Sequence, residues 1–241
     1  MRGILAVLSL MLMDPSGGSA LADDDCHPKI DPQAPQYVIG YGSLMEEASK
    51  DRTAPNTGAN LPVMVTGYER AWHLRGSGAG FGTTYLGVQV KAGAPMVAAL
   101  YRNFTSQEIL STDQREIDYC RDEVDPGALR MLDGSAVPET GQSWIYVSKP
   151  EAVGPPNADY PIAQSYVDIF ITGCLQVAER VVDQNEDFAK QCITTTSGWS
   201  PYWVNDRLLP RRPFIHQPHA AEIDRLLFEN VPDEFKMIRI E

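Results

Sequence analysis

Two stretches of this chain carry residues able to do chemistry. One holds Glu116, within TSQEILSTDQREIDYCRDEV from Thr105 to Val124. The other is YVIGYGSLM, Tyr37 to Met45, where Gly40 and Gly42 flank Tyr41, and Ser43 and Leu44 follow. Glycines permit unusual backbone angles and the close approach of a ligand to main-chain N–H groups. Together the two stretches offer one acid/base carboxylate and one backbone cradle, a set that calls for neither a metal nor a nucleotide.

The segment around Glu116 reads as a helix from Thr105 to Val124, opened by a capping box of Thr105 and Glu108. Ile109, Asp113, Glu116 and Cys120 recur at steps of four, three and four and share a stripe beside the apolar one of Leu110, Ile117 and Cys120. Glu116 then sits at the border of the buried face, where partial desolvation raises a carboxylate's pKa toward that of a working acid/base. The plainer alternative is a boundary residue paired with Arg115 or Arg121. YVIGYGSL reads as a buried strand breaking into a loop, and an ordinary tight turn is its plainer alternative.

Other constellations fail. There is no G-K-[ST], and RGSGAGFG (Arg75 to Gly82) runs into a strand-like segment instead of opening a helix, so it reads as a loop. No G-x-S-x-G elbow and no C-x-x-C pair occurs. His216 and His219 are separated by Pro218 and read as a surface loop, and the N-F-T at Asn103 reads as a chance glycosylation triplet.

The elements that must position these residues follow from periodicity and turn chemistry. Residues 1–22 read as a secretory signal: Arg2, then the apolar ILAVLSLMLM, then SALA before Asp23. A polar, proline-rich arm spans 23–35. Strands are expected at Tyr37 to Gly42, Leu61 to Arg75, Thr83 to Lys91, Pro95 to Phe104 and Ser143 to Val147, with KAGAP as a hairpin between the third and fourth. From Tyr166 the pattern is helical, in YVDIFITGCLQVAERVV, EDFAKQCI and HAAEIDRLLFEN. Strands first and helices later predict an α+β fold. The domain boundaries are then 36–160 for the main unit and 161–241 for a helical C-terminal extension.

The formal charge of −12 argues against nucleic acid and against an anionic membrane surface as partners. Loss of residues 1–22 would remove only Arg2 and Asp14, so the balance survives. At 43% hydrophobic residues the chain can build a core. Four cysteines in an exported protein allow two disulfides in three pairings, and Cys174 with Cys192, on consecutive helical stretches, is the favoured bridge. The expected compartment is periplasmic or secreted, with no membrane attachment after signal cleavage.

In order and spacing, these motifs resemble the gamma-glutamylcyclotransferase family, particularly its ChaC-like and related bacterial members. The resemblance rests on YGSL at the end of a strand, GYERAW (Gly67 to Trp72), the apolar pair TYLGVQV and APMVAALYRNF, and REIDY (Arg115 to Tyr119), and covers roughly residues 36–150. It implies a small mixed β-barrel flanked by helices. It further implies that Tyr41, Gly42, Ser43 and Leu44 hold a γ-glutamyl group and that Glu116 is the general acid/base, with the tyrosine of REIDY, Tyr119, beside it. No cofactor is implied, and the partner is a small γ-glutamyl peptide or amine, glutathione being one candidate. Arg70 or Arg75, from their place along the strand, would pair with the substrate's α-carboxylate. The competing expectation is a non-catalytic binding protein that uses the aromatic-basic segment Ser197 to Phe214 as its partner surface. A third is a related lyase or amidotransferase that cleaves a γ-glutamyl bond on a larger molecule, with the C-terminal extension reading that molecule.

Overall fold

The computed structural model describes residues 26–77, 80–183, 185–212 and 219–241. The expected signal segment, His216 and Phe214 lie outside them. Among the described residues the chain forms a ten-stranded mixed sheet and six α-helices, an α+β arrangement.

Strand β1 (Gln36–Gly40) lies at the centre, between β3 (Thr83–Asn103), antiparallel, and β6 (Gln142–Ser148), parallel. Val38 faces Tyr101 on one side and Trp144 on the other, and Val38 and Ile39 have no exposure. A strand covered on both faces reads as an unbroken apolar run, which is what YVI is. β2 (Leu61–Gly76) runs along β3 for its whole length. The hairpin expected at KAGAP is therefore absent. Both flanking segments pair with β2 and not with each other, forming one strand with an irregularity. There the register jumps from Thr66↔Pro95 to Tyr68↔Val90, with Gly67 and Gly93 at φ +101° and +74°. Those left-handed angles suit glycine and mark where the long ribbon bends.

The helix expected to reach Val124 stops early. α1 (Glu47–Asp51) follows the YGSL turn, α2 (Ser106–Arg115) ends at Arg115, and β4 (Tyr119–Glu123) pairs with β6. Tyr119 and Arg121 are buried while Cys120 and Asp122 are partly exposed, the alternation of a strand. Burial of Arg121 hid this in the sequence. It is compensated by Asp113 at 2.6 Å, the Pro28 carbonyl at 2.6 Å and the Trp144 ring at 4.6 Å. The capping box also fails in detail: Thr105 is the N-cap residue but donates and accepts no side-chain cap bond, and Glu108 accepts from Asn56 instead.

The C-terminal extension is not purely helical. It supplies β7 (Ile162–Ala163), α3 (Gln164–Ala178), α4 (Phe188–Thr194), β8 (Thr196–Ser197), β9 (Trp203–Asn205), α5 (Ala220–Asn230), α6 (Pro232–Phe235) and β10 (Arg239–Ile240). Those strands join the same sheet, β7 on β3 and β8 on β2, while β5 (Leu129–Met131) also pairs with β2. The strand path runs from β10 to β4, and among the described residues no ladder closes it into the expected barrel.

Two cores result. One lies among β1, β2, β3, β4 and β6, with Val38, Val63, Tyr101 and Trp144. The other packs α3, α4 and α5 on the ribbon, with Trp72, Leu86, Phe170, Cys174 and Trp203. Each of the larger apolar side chains contributes about 1.5–3 kcal/mol on burial. The bridges are Cys174–Cys192, as expected, and Cys26–Cys120, which ties the N-terminal arm to β4. No helix among the described residues is long and apolar enough to cross a membrane.

Candidate active site

Glu116 is the C-cap residue of α2, with φ −94° and ψ 44°. Its N–H donates to the Thr112 carbonyl at 2.9 Å, and its own carbonyl accepts from the Tyr119 N–H at 3.0 Å. The chain thus turns about Glu116 between helix and strand. The side chain is only 14% exposed. Burial pushes its pKa above the ordinary carboxylate value and Asp118 adds to this, while Arg115 and Arg212 pull the other way. The C-terminal end of α2 also disfavours a negative charge there.

The cradle expected from YGSL sits directly against this carboxylate. β1 delivers Tyr41 and Gly42, and Ser43–Met45 form a single 3-10 turn. Tyr41, Gly42, Ser43 and Leu44 line a narrow recess together with Glu116, Tyr119, Leu86, Tyr146 and Tyr166. Gly42 has an ordinary negative φ of −130°, so its need is for space: a Cβ there would lie 2.8 Å from the Tyr166 hydroxyl. The Tyr41 hydroxyl donates to the Tyr146 carbonyl at 2.6 Å, and that of Tyr119 to the Leu86 carbonyl at 2.9 Å. Burial raises the pKa of both far above the usual phenol value, and pushes that of Tyr166 up to about 12. All three stay neutral at physiological pH; Tyr41 and Tyr119 have committed their hydroxyl protons to those carbonyls and can only accept, while Tyr166 keeps a proton to donate.

Arg115 ties the pieces together. Its Nε lies 3.1 Å from Glu116, and its terminal nitrogens donate to the Ser43 hydroxyl at 2.9 Å, the Ser49 carbonyl at 2.7 Å and the Ser49 hydroxyl at 3.0 Å. The plainer expectation, a glutamate paired with Arg115, is thus met, and Glu116 still stands in the wall of the recess while Arg115 lines the cleft outside it. Outside the recess the cleft widens to about 230 Å³, lined by Ser43, Tyr85, Arg115, Glu116, Asp118, Tyr119, Tyr166 and Arg212.

Arg70 does not join this group. It is fully buried and donates to the carbonyls of Tyr41, Val97 and Cys192 and to the hydroxyls of Thr195 and Thr196, with its guanidinium 4.8 Å from the Phe170 ring. Burial brings its pKa down to about 9, so it remains charged at neutral pH. Its work is structural: it clamps the YGSL strand to α4. Arg75 donates twice to the Pro155 carbonyl and lines an adjoining cleft with Asp118 and Tyr160.

Sequence reasoning missed Tyr146, Tyr166, Leu86 and Arg212. Tyr146 enters through the parallel pairing of β6 on β1, and Tyr166 and Arg212 come from the extension. The one available signal was the basic pair Arg211–Arg212 in an acidic chain. The aromatic-basic segment is anchored by a few internal residues, Ser200, Trp203 and Asp206 being buried and the rest of its described part partly or fully exposed. Trp199 and Trp203 stack at 5.2 Å against Trp72, and Arg207 bonds Asp168 and Asp224. Only Tyr202, Leu208 and Leu209 stand out as exposed apolar groups in its described part. Among the described residues no three His, Cys, Asp or Glu side chains gather to hold a metal ion.

No family model and no curated protein sequence matches this chain. Solved structures do. An uncharacterized protein from Homo sapiens is 12% identical, with a TM-score of 0.49, covering 65% of this chain and 85% of its own. A gamma-glutamyl cyclotransferase gives 11% identity and 0.48 over the same shares. A yeast gamma-glutamyl cyclotransferase described as specific to glutathione gives 10% and 0.44, covering 67% of this chain and 95% of its own. At these scores and identities the functional argument rests on the geometry of the site.

Proposed function

We propose that this chain is a gamma-glutamylcyclotransferase that converts a γ-glutamyl peptide or amine to 5-oxoproline and a free amine. The observation that carries the reading is Glu116: a carboxylate of raised pKa, pinned at a helix end, facing a glycine turn in a tyrosine-lined recess. The reaction needs little else. The substrate's own α-amine is the nucleophile, so holding the γ-glutamyl arm folded removes most of the entropic barrier. Glu116 takes a proton from the α-ammonium, and the amine attacks the γ-carbonyl carbon to form the ring C–N bond. Glu116 then delivers a proton to the departing nitrogen as the original C–N bond breaks. The ring nitrogen sheds two protons in all. The leaving nitrogen gains two, one on departure and one as the free amine ionises. The leading N–H groups of the Ser43–Met45 turn have no helical carbonyl ahead of them and supply donors for the developing oxyanion. The hydroxyl of Tyr166, which lines the recess, is a further donor there, whereas that of Tyr119 is spent on the Leu86 carbonyl.

Export of the protein belongs to the same proposal. Two disulfides support an oxidising compartment, and the apolar stretch behind Arg2 supports the signal reading. Glutathione is one substrate to try, and no side chain described so far selects it.

The test is mass spectrometry for 5-oxoproline after incubation with a panel of γ-glutamyl compounds, beside Glu116→Gln. Product from the wild type alone is expected. Absence of product from every member sinks the reading, as does equal turnover by the variant.

A further inference from the structure

The expected partner for a substrate α-carboxylate was Arg70 or Arg75, and neither is placed for it. Arg115 is committed as well: all three of its guanidinium nitrogens contact Glu116, Ser43 or Ser49. Arg212, from the extension, differs. It lines the outer cleft with Glu116, and its Nε is buried without a hydrogen-bond partner among the described residues. Its guanidinium carbon lies 5.8 Å from the Tyr85 ring and 6.0 Å from the Tyr166 ring, both walls of that cleft.

Its backbone is held in place. The Arg212 N–H donates to the Ser165 hydroxyl at 3.2 Å, and that hydroxyl donates to Asp206 at 2.7 Å. Asp206 also accepts from the Arg211 N–H at 2.7 Å and from the Ser165 N–H at 2.8 Å. A cation is therefore carried to the mouth of the site by a part of the chain that the YGSL and REIDY motifs do not include.

We propose that Arg212 binds the α-carboxylate of the substrate. The inference rests on the cyclotransferase reading and extends it to how the substrate is recognised. The chemistry is local. The α-carboxylate and the attacking α-nitrogen share one carbon, so a base that reaches the ammonium must have a carboxylate-binding cation beside it. Arg212 acts electrostatically on Glu116 and faces the same cleft. A guanidinium fork matches a carboxylate in plane, and its charge orients the α-carbon so that the ammonium points toward Glu116. The enzyme would then require a free α-carboxylate and discriminate against γ-acyl amines that lack one.

Two probes separate this from a structural role: γ-L-glutamylethylamide and N-ethyl-4-aminobutanamide, which differ only in the α-carboxylate. With Arg212 intact, kcat/KM favours the first. In Arg212→Ala that preference falls by about 100-fold, the scale of a lost charge-assisted contact, and Arg212→Lys retains part of it. The same comparison is made by calorimetric binding in a Glu116→Gln background, with and without Arg212→Ala, each protein first shown to melt cooperatively. Loss of selectivity on removing Arg212 supports the site even if the wild type forms no 5-oxoproline, in which case only the cyclotransferase reading falls. Turnover by the wild type with selectivity unchanged in Arg212→Ala overturns the Arg212 role and leaves the cyclotransferase reading standing. Binding of neither probe also overturns it.

Discussion

Glu116 carries a conflict between stability and function. Its pKa in the fold lies above the unfolded value, because burial outweighs the attraction of Arg115 and Arg212. The protonated form therefore contributes stability that is complete below the unfolded pKa and is lost as pH rises through the raised folded value. Glutamine stays neutral and keeps that contribution. Glu116→Gln is expected to match the wild-type melting temperature in acid and to equal or exceed it at neutral pH, while 5-oxoproline formation drops by about 1000-fold or more. A melt of the variant that falls well below wild type at neutral pH would instead make Glu116 a structural partner of Arg115. The wild-type kcat/KM should rise with pH through a midpoint above the ordinary carboxylate range, since the base must be ionised to accept the ammonium proton. Gly42→Ala tests the opposite wall. The new methyl meets the Tyr166 hydroxyl at 2.8 Å, so that ring must shift. The expectation is a loss of about tenfold or more in kcat/KM with the fold kept, since a small misplacement in an active site is costly. Unchanged kinetics would show that Tyr166 is not held where the substrate binds.

At the scale of elements, the site depends on where helices end. α2 stops at Arg115, and this turns Glu116 out of a helical stripe and into the cleft. α3 begins without a side-chain cap of its own; Asp206, 1% exposed and distant in sequence, accepts from the Ser165 N–H in its first turn and from the Arg211 N–H. A carboxylate at a helix N-terminus is favoured by the helix dipole. Asp206→Ala leaves buried donors unmatched and should cost about 2–4 kcal/mol in denaturant unfolding. It should also weaken binding of γ-L-glutamylethylamide, because Arg212 sits on the same hinge of hydrogen bonds. A loss of stability with substrate binding intact would separate the two roles of that segment.

Over the whole molecule, the extension is built into the sheet, and two disulfides cross-link the chain, one in each part of it. Cys26–Cys120 closes a separation of 94 residues and Cys174–Cys192 one of 18. In the chain-entropy view the longer loop restrains the unfolded chain more, about 4–5 kcal/mol against about 3 kcal/mol. Cys26→Ser with Cys120→Ser should therefore lower the unfolding free energy more than the Cys174/Cys192 double variant, as measured by chemical denaturation under non-reducing conditions. The reverse order would mean that strain or residual unfolded structure governs, not loop length. The second bridge also stands in the core beside Trp72 and Phe170, so its removal reaches the wall that carries Tyr166.

What the sequence determined by itself was local. Alternating apolar residues and turn chemistry marked most of the strands, and an apolar run with glycines marked the YGSL turn; the apolar stripe used to place Glu116 was wrong, because α2 ends at Arg115 and Leu110 and Ile117 are exposed, so only the REIDY motif marked that carboxylate. These depend on neighbours a few residues apart. What only the tertiary structure decided depends on partners far along the chain. β4 displaced the end of a helix because β6 offered a ladder. KAGAP became a bend because both its flanks pair with β2. Arg70 went inside because carbonyls and hydroxyls from three distant segments met it there. Tyr146, Tyr166 and Arg212 reached Glu116 only when β6, α3 and the segment after β9 were brought against the glycine turn, and no periodicity within those segments encodes that meeting.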